Sequence, residues 1–532
     1  MISNAKHSIV RAAGIVALFG LFSKLLGMYR DRLLASNFGA GNVLDAYYAA
    51  FRIPDLIYNF LILGTLSVAF IPVFTEYFVK DPREANRIAN TILNAAFVGM
   101  GAVCAVLLFF VPEITRAIAP GFHGAKLQNT IVLTRLFLFS PVIFAVSSVF
   151  SSILNALKRF LLVSLAPIIY NIGIIFGIVF LYPIFGIRGL AYGVLLGALG
   201  HALVQVPGIF RAGFKYKPVL QWRHAGVIQI AKLFVPRIFG IDASQISLLI
   251  ASVIGSTLAA GSIAVFNLAN NLQAVPIGIF GLSFAIASFP NLSEKFALKK
   301  HGEFNAILRK TAVHILYFTI PISVLILLLR AQIVRVILGT GHFNWTATVL
   351  TANSLGIFGI SIFAQSLIPL LARAFYARHN TKIPVLIGLG AMAANAILAW
   401  FLGRAYGVVG LAWAFSAASI FNMLALYFIL ISKLKGTPPA RGWWPAILKI
   451  CFAAGLMGLA VHYILIPLAF LFPLRSTIHV FAQGLFAALI GVAVFLGVSK
   501  ALGIEETAWV VKVIRNRIFG GGSGLGPNPE RD

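Results

Sequence analysis

The chain has 532 residues, of which 60% are hydrophobic and 11% charged, with a mean hydropathy of +0.95. A soluble domain carries about 25% charged residues, so a soluble globular protein is excluded and an integral membrane protein is implied. The formal net charge is +28, but no soluble stretch presents the basic face that nucleic-acid binding requires, and nucleic acid is excluded as a partner.

Apolar runs of roughly 20 residues, the length that crosses a bilayer core as helix, recur about fourteen times. Lipid tolerates no open sheet edge, so the expected fold is an all-α integral membrane protein of about 14 transmembrane helices. The opening "MISNAKHSIVRAAGIVALFGLFSK" has the charge-then-apolar order of a signal peptide but no small-residue cleavage site before charge returns, and is expected to be a retained first helix. That helix continues as "FSKLLGMYRDRLLASNFG", which places Lys24, Arg30, Asp31 and Arg32 in a greasy span. Each costs on the order of 3 kcal/mol at a helix centre, so together they cannot face lipid. Lys24 and Asp31 lie seven residues apart and share one face to within roughly 20°, with Gly27 between them permitting a bend. The second span, "DAYYAAFRIPDLIYNF", adds Asp45, Arg52 and Asp55, with Pro54 breaking helical hydrogen bonding beside Arg52. Guanidinium groups bind diphosphates through paired, charge-assisted hydrogen bonds, so a cationic cavity for a phosphate-bearing substrate is expected. Both cysteines, Cys104 and Cys451, fall in apolar spans and indicate no disulfide framework.

Further along, the text repeats itself. "PVFTEYF" at 72 returns as "PNLSEKF" at 290, "ITRAIAPGF" as "IVRVILGTGHF", "NALKRF" as "AFYARHN", and "GIRGLAYG" at 186 as "GVVGLAWA" at 407, all at offsets of 218 to 221 positions. Each half holds about six spans, an even number, so the repeats run in the same direction, as in one class of transporter. The expected organisation is a six-helix lobe at 1–215, a second at 216–440, two additional transmembrane helices at 441–505, and a cytoplasmic tail at 506–532 with a Gly- and Pro-rich end. Lys and Arg concentrate at the N-terminus, in alternate loops and in the tail, which places both termini in the cytoplasm. The second half does not repeat the charges of the first: its matching segment, "AVFNLANNLQAVPIGIFGLSF", offers Asn267, Asn270, Asn271 and Gln273. Asp242, its clearest intramembrane acid, is expected either to bind a coupling cation or to pair with Arg237. No phosphate loop, HExxH motif or nucleotide-binding domain is present, so no cofactor and no enzymatic activity are expected. Transport would draw on an ion gradient, the membrane potential or consumption of product.

The segments "FSKLLGMYRD", "NFGAGNVLDAYYAAFRIP", "VAFIPVFTEYF", "IAPGF", "ASQISLLI" and "FYARHNTKIPV", in this order, resemble the MurJ (MviN) lipid II flippases of bacteria, within the multidrug/oligosaccharidyl-lipid/polysaccharide exporter superfamily. The resemblance covers essentially the whole chain. It implies a multi-pass bacterial inner-membrane protein that moves undecaprenyl-diphosphate-linked disaccharide-pentapeptide (lipid II) to the periplasmic leaflet for peptidoglycan synthesis, by alternating access between two lobes around a V-shaped cationic cavity. The last two helices would form a groove for the lipid tail. Arg30, Asp31 and Asp45 match the family's motif positions, Lys24 stands where an Arg is usual, and Arg52 occupies a commonly basic position. Three positions depart from the family: Tyr58 replaces a basic residue, Leu63 an acid, and Asn271 an Arg. The substrate-binding set is therefore expected to be Lys24, Arg30, Asp31, Asp45, Arg52 and Asn271. The nearest match to the cation site of some members is Asp242 with Asn395, for a monovalent cation. The departures leave other readings open: an exporter of another polyprenyl-diphosphate oligosaccharide, a cation-coupled drug exporter, or a non-transporting scaffold for cell-wall synthesis.

Overall fold

The computed structural model describes residues 2–61, 66–238, 243–433, 440–473 and 476–508, and among them no strand occurs. Backbone hydrogen bonds close within helices, as a hydrocarbon solvent demands. In chain order the helices are α1 (Ile2–Phe38), α2 (Asn42–Ala50), α3 (Arg52–Leu61), α4 (Leu66–Lys80), α5 (Pro82–Phe109), α6 (Val111–Ile118), α7 (Gly124–Phe137), α8 (Phe139–Ala156), α9 (Phe160–Phe176), α10 (Tyr182–Phe185), α11 (Ile187–Leu203) and α12 (Val206–Arg211). After a linker come α13 (Ala225–Ile238), α14 (Ala243–Ser256), α15 (Ser262–Pro276), α16 (Ser283–Ala297), α17 (His301–Ile337), α18 (Trp345–Ala377), α19 (Lys382–Lys433), α20 (Ala440–Leu471) and α21 (Thr477–Ala501). Single π-helical turns follow α9 and α15. Among the described residues ten helical stretches are long and apolar enough to cross a membrane, and shorter apolar helices accompany them. Asp242, Leu63 and the Gly- and Pro-rich end from 509 onward lie outside the described residues.

The duplication legible in the sequence recurs in the backbone. Among the described residues, eight of the eleven with positive φ fall in pairs at nearly constant offset: Gly39 and Gly261 (222 positions), Gly124 and Gly341 (217), Lys158 and His379 (221), Gly186 and Gly407 (221). The last pair is the most specific, because Gly186 has φ 57°, ψ −141° and Gly407 φ 62°, ψ −142°, a region essentially closed to residues with a Cβ. Three residues on, Gly189 lies against the carbonyl of Leu181, and Gly410 lies against that of Leu402 in the same way. One turn with one glycine requirement was evidently copied whole.

The chain forms two compact units. The first comprises residues 1–272, 337–354 and 388–418. Its core includes Phe70 and Phe74 of α4, Ile88 of α5, Val149 and Ile153 of α8, and Ile230 of α13. Within it α9 and α11 approach closely because glycines face each other, Gly173 and Gly177 against Gly193 and Gly197, the small-residue stripe that substitutes for a hydrophobic drive between helices in lipid. The second unit comprises residues 273–336, 355–387 and 419–532. There α16, α17 and α18 bury Leu292, Phe304 and Phe375, and α20 and α21 pack on α17 around Tyr317, Met457 and Phe495.

The linker that opens the second half is not slack. Three asparagines on one face of α5 hold its backbone: Asn86 donates to Gly213 O (3.3 Å), Asn90 to Lys215 O (2.8 Å), and Asn94 to Lys217 O (3.1 Å) and Val219 O (2.9 Å). Lys217 N–H returns a bond to Asn90 Oδ1 (2.8 Å), and Gln221 N–H donates to Thr91 Oγ1 (3.3 Å). Spacing of four residues places these amides in a row on the helix, each satisfying backbone groups that have no strand partner.

Candidate functional site

The intramembrane charges gather where α1 to α3 meet α14 and α15, within the first unit. α1 is a single helix to Phe38, and Gly27, where a bend is permitted, faces Asn171 of α9. Arg30 therefore lies eight residues, about 12 Å of rise, before the helix ends, inside the span. Its guanidinium donates through Nε (3.1 Å) and Nη2 (2.8 Å) to Asp31 Oδ1 and through Nη1 to Asn171 Oδ1 (3.1 Å). Asp31, almost wholly buried, accepts on its other oxygen from Asn271 Nδ2 of α15 (2.9 Å). The chain Asn171–Arg30–Asp31–Asn271 thus joins the first half of the molecule to the second.

One helix away, α2 ends at Ala50 and α3 begins at Arg52, so the break beside Pro54 lies where the proline predicts it. Pro54 sits in the first turn of α3, where the N–H it lacks would have had no helical partner. Arg52 is buried and donates through Nε to Ser252 Oγ of α14 (2.7 Å) and through Nη2 to Asn267 Oδ1 of α15. Both acceptors are neutral. Tyr58, singled out in the sequence as a departure from the family pattern, packs its ring on Phe144.

Asp45 closes the end of this seam. Its side chain is 1% exposed, accepts from Gly261 N–H (2.7 Å, Oδ2) and Ala264 N–H (2.9 Å, Oδ1), and pairs with Lys126 Nζ at 2.7 Å. It thereby caps the N-terminus of α15, where unsatisfied N–H groups and the helix dipole favour an anion. Lys126 is held over the Phe122 ring at 4.1 Å. Beside this cap the two halves clasp reciprocally. His342 N–H donates to Ser36 O (2.8 Å), and Gly121 N–H donates to Ser256 Oγ (3.1 Å); residues 36 and 256, like 121 and a second contact of Ser36, Gly341, are 220 positions apart. A Cβ on Gly39, Gly121, Gly261 or Gly341 would strike backbone of the opposite half.

Of the residues singled out in the sequence, Arg30, Asp31, Asp45, Arg52 and Asn271 are thus brought onto one seam. Lys24 is not: it is half-buried two turns earlier in α1 and makes no ion pair with a described residue. Asn395 is buried in α19, whereas Asp242, its proposed companion, lies outside the described residues. No cluster of three metal-ligating side chains occurs among the described residues. Sequence reasoning missed Lys126, Ser252 and Asn171. Lys126 carried a signal, being a basic residue in the first turn of an otherwise largely apolar helix, α7.

A family model described as "Lipid II flippase MurJ" matches residues 34–482, most of the chain, including α2 to α20 and, on the seam, Asp45, Arg52 and Asn271 but not Arg30 or Asp31. The chain belongs to the MurJ family. A probable lipid II flippase MurJ of Buchnera aphidicola subsp. Acyrthosiphon pisum (strain APS) is 32% identical over 77% of this chain and 81% of its own. The lipid II flippase MurJ of Burkholderia cenocepacia is 26% identical over 86% and 90%. Among solved structures, a lipid II flippase MurJ in an inward closed conformation superposes with a TM-score of 0.76 at 25% identity, covering 94% of this chain and 99% of that one. A multidrug resistance MATE family transporter of the MOP superfamily, inward-facing, gives 0.66 at 15% identity over 77% and 94%, a likeness of fold alone. MurJ membership makes this a multi-pass inner-membrane protein of a transporter fold.

Proposed function

We propose that the protein flips lipid II, the undecaprenyl-diphosphate-linked disaccharide-pentapeptide, from the cytoplasmic to the periplasmic leaflet by alternating access between lobes 1–215 and 216–440. Helices at 441–505 lie beside the isoprenoid tail, and both termini are cytoplasmic. Transport, not catalysis, is the activity, and it needs no cofactor.

The observation that carries this reading is the seam itself. Arg52 is bound to a hydroxyl and an amide of the second half, both neutral acceptors, whereas a diphosphate offers the same guanidinium paired bonds to oxygens that carry the opposite charge. Arg30 likewise is held by Asp31 and Asn171. A diphosphate entering from the basic-rich side competes for these cations, with Lys24 meeting it first. Once Arg52 leaves Ser252 and Asn267, the ties left along the seam are the Asp31–Asn271 bond and, toward its Asp45 end, the Asp45 cap and the two clasps. Opening that end requires breaking them, and headgroup binding lowers the cost by removing one set in advance.

Rescue of a strain depleted of its own lipid II flippase, with Arg30→Ala as the control, tests the proposal. Growth restored by the native chain and lost in the variant is the expected result. No rescue, with export of another polyprenyl-diphosphate glycan in a reconstituted assay, would reassign the substrate, a reading that Tyr58 and Asn271 favour by leaving the seam with fewer cations than is usual. No rescue, no glycan export and retained binding of cell-wall enzymes would point to a scaffold.

A further inference from the structure

The first unit also contains a cavity unconnected with the seam. It measures about 820 Å³, within the usual range for small-molecule and lipid sites, and lies between α4, α5 and α13. Leu66, Met100, Val103 and Phe234 form its walls, and Lys232 is the one charged residue among those lining it. None of Arg30, Asp31, Asp45, Arg52 or Asn271 reaches it. The groove exists because α5 presents Ala95, Ala96 and Gly99 on one face, so that helix cannot fill the space to α13.

Trp222, exposed, lines it as Lys232 does. The strapped linker leads to the same place. Because Asn86, Asn90 and Asn94 occupy its backbone, the side chains of Lys215, Lys217 and Arg223 are left exposed, and like Lys232 they make no ion pair with a described residue. The nearby acid, Glu84, is already engaged by Arg87 (2.6 Å) and His224 (3.0 Å). An apolar slot with Lys232 in its lining is thus joined, through the indole of Trp222, to a linker that carries three uncommitted cations, and aromatic rings settle between headgroups and hydrocarbon.

We infer that this groove is a binding site for an anionic membrane phospholipid, its acyl chains between α4, α5 and α13 and its phosphate among Lys215, Lys217, Arg223 and Lys232. Basic pockets between transmembrane helices select anionic headgroups in this way. The occupant is a resident lipid and not the transported one, because the groove shares no residue with the seam. The assignment stands whichever headgroup that seam carries.

The full-length protein, reconstituted in vesicles containing brominated-chain phosphatidylglycerol or brominated-chain phosphatidylcholine, tests this through quenching of Trp222, read as the difference from Trp222→Phe. Phosphatidylglycerol should quench at much lower mole fraction, and each of Lys215→Gln, Lys217→Gln, Arg223→Gln and Lys232→Gln should weaken its binding by about fivefold. Gly99→Leu should abolish quenching by both lipids, since a Cβ there meets open space and the side chain enters the groove without disturbing α5. Equal quenching by the two lipids, unchanged in the four Gln variants, overturns the proposal. So does displacement of brominated phosphatidylglycerol by a polyprenyl diphosphate, which would make the groove part of the transport path.

Discussion

The two ends of the Ser–Gly clasp and the two sides of the charged seam behave oppositely. At the clasp, the first half does to the second what the second does to the first: Ser36 meets Gly341 and His342, and Ser256 meets Gly121. At the seam, the first half supplies Arg30, Asp31, Asp45 and Arg52, while the second supplies Ser252, Asn267, Asn271 and two backbone N–H groups. Backbone geometry was inherited in duplicate, and ionisable chemistry was concentrated on one side. Symmetry provides a closure that can be made and released as a pair, whereas asymmetry gives a charged substrate one preferred face.

The strongest way to break the asymmetric side is Asp45→Ala. It strands Lys126 and the N–H groups of Gly261 and Ala264, and losing one partner of a buried ion pair costs about 3–5 kcal/mol. Thermal unfolding in detergent should fall accordingly, and rescue of a flippase-depleted strain should fail. The symmetric side is tested by Gly186→Ala and Gly407→Ala. Each forces a Cβ into the same disallowed region, at about 1–3 kcal/mol, and the two losses of stability should match closely; markedly unequal losses would mean the turns are not equivalent. Next, Arg52→Ala and Asn267→Ala, alone and combined, should show a coupling of roughly 0.5–3 kcal/mol in a double-mutant cycle, with Arg52→Lys recovering only part of it because an ammonium lacks the planar fork. The smallest effect is expected from Asn271→Arg. It adds a second cation beside Asp31, and should tighten binding of a diphosphate lipid by several-fold while making that binding more sensitive to salt.

Much of the architecture was legible because membrane physics writes it in large letters: apolar length fixes the spans, and the text of 186–193 returning at 407–414 anticipated two turns with the same φ and ψ. Charged residues inside apolar runs were equally visible, since lipid makes each one conspicuous. Their partners were not. Ser252 and Asn171 are ordinary polar residues in long helices, and the acceptor-seeking N–H groups of Gly261 and Ala264 carry no side-chain signature at all. That Gly27 faces Asn171 was equally hidden, because nothing in a sequence says which helix a glycine lies against. The asparagine row on α5 was overlooked for a related reason: a four-residue spacing of amides reads as a solvated face until the linker lies across it.

That row has a practical consequence. Exposed connecting segments are where proteases usually cut first, and this one offers trypsin Arg211, Lys215 and Arg223 in quick succession. A protease must draw the chain into its own cleft as an extended strand, but here the carbonyls of Lys215, Lys217 and Val219 are already taken by α5. The junction should therefore resist limited digestion despite its sequence, and the intact protein should be the species that survives.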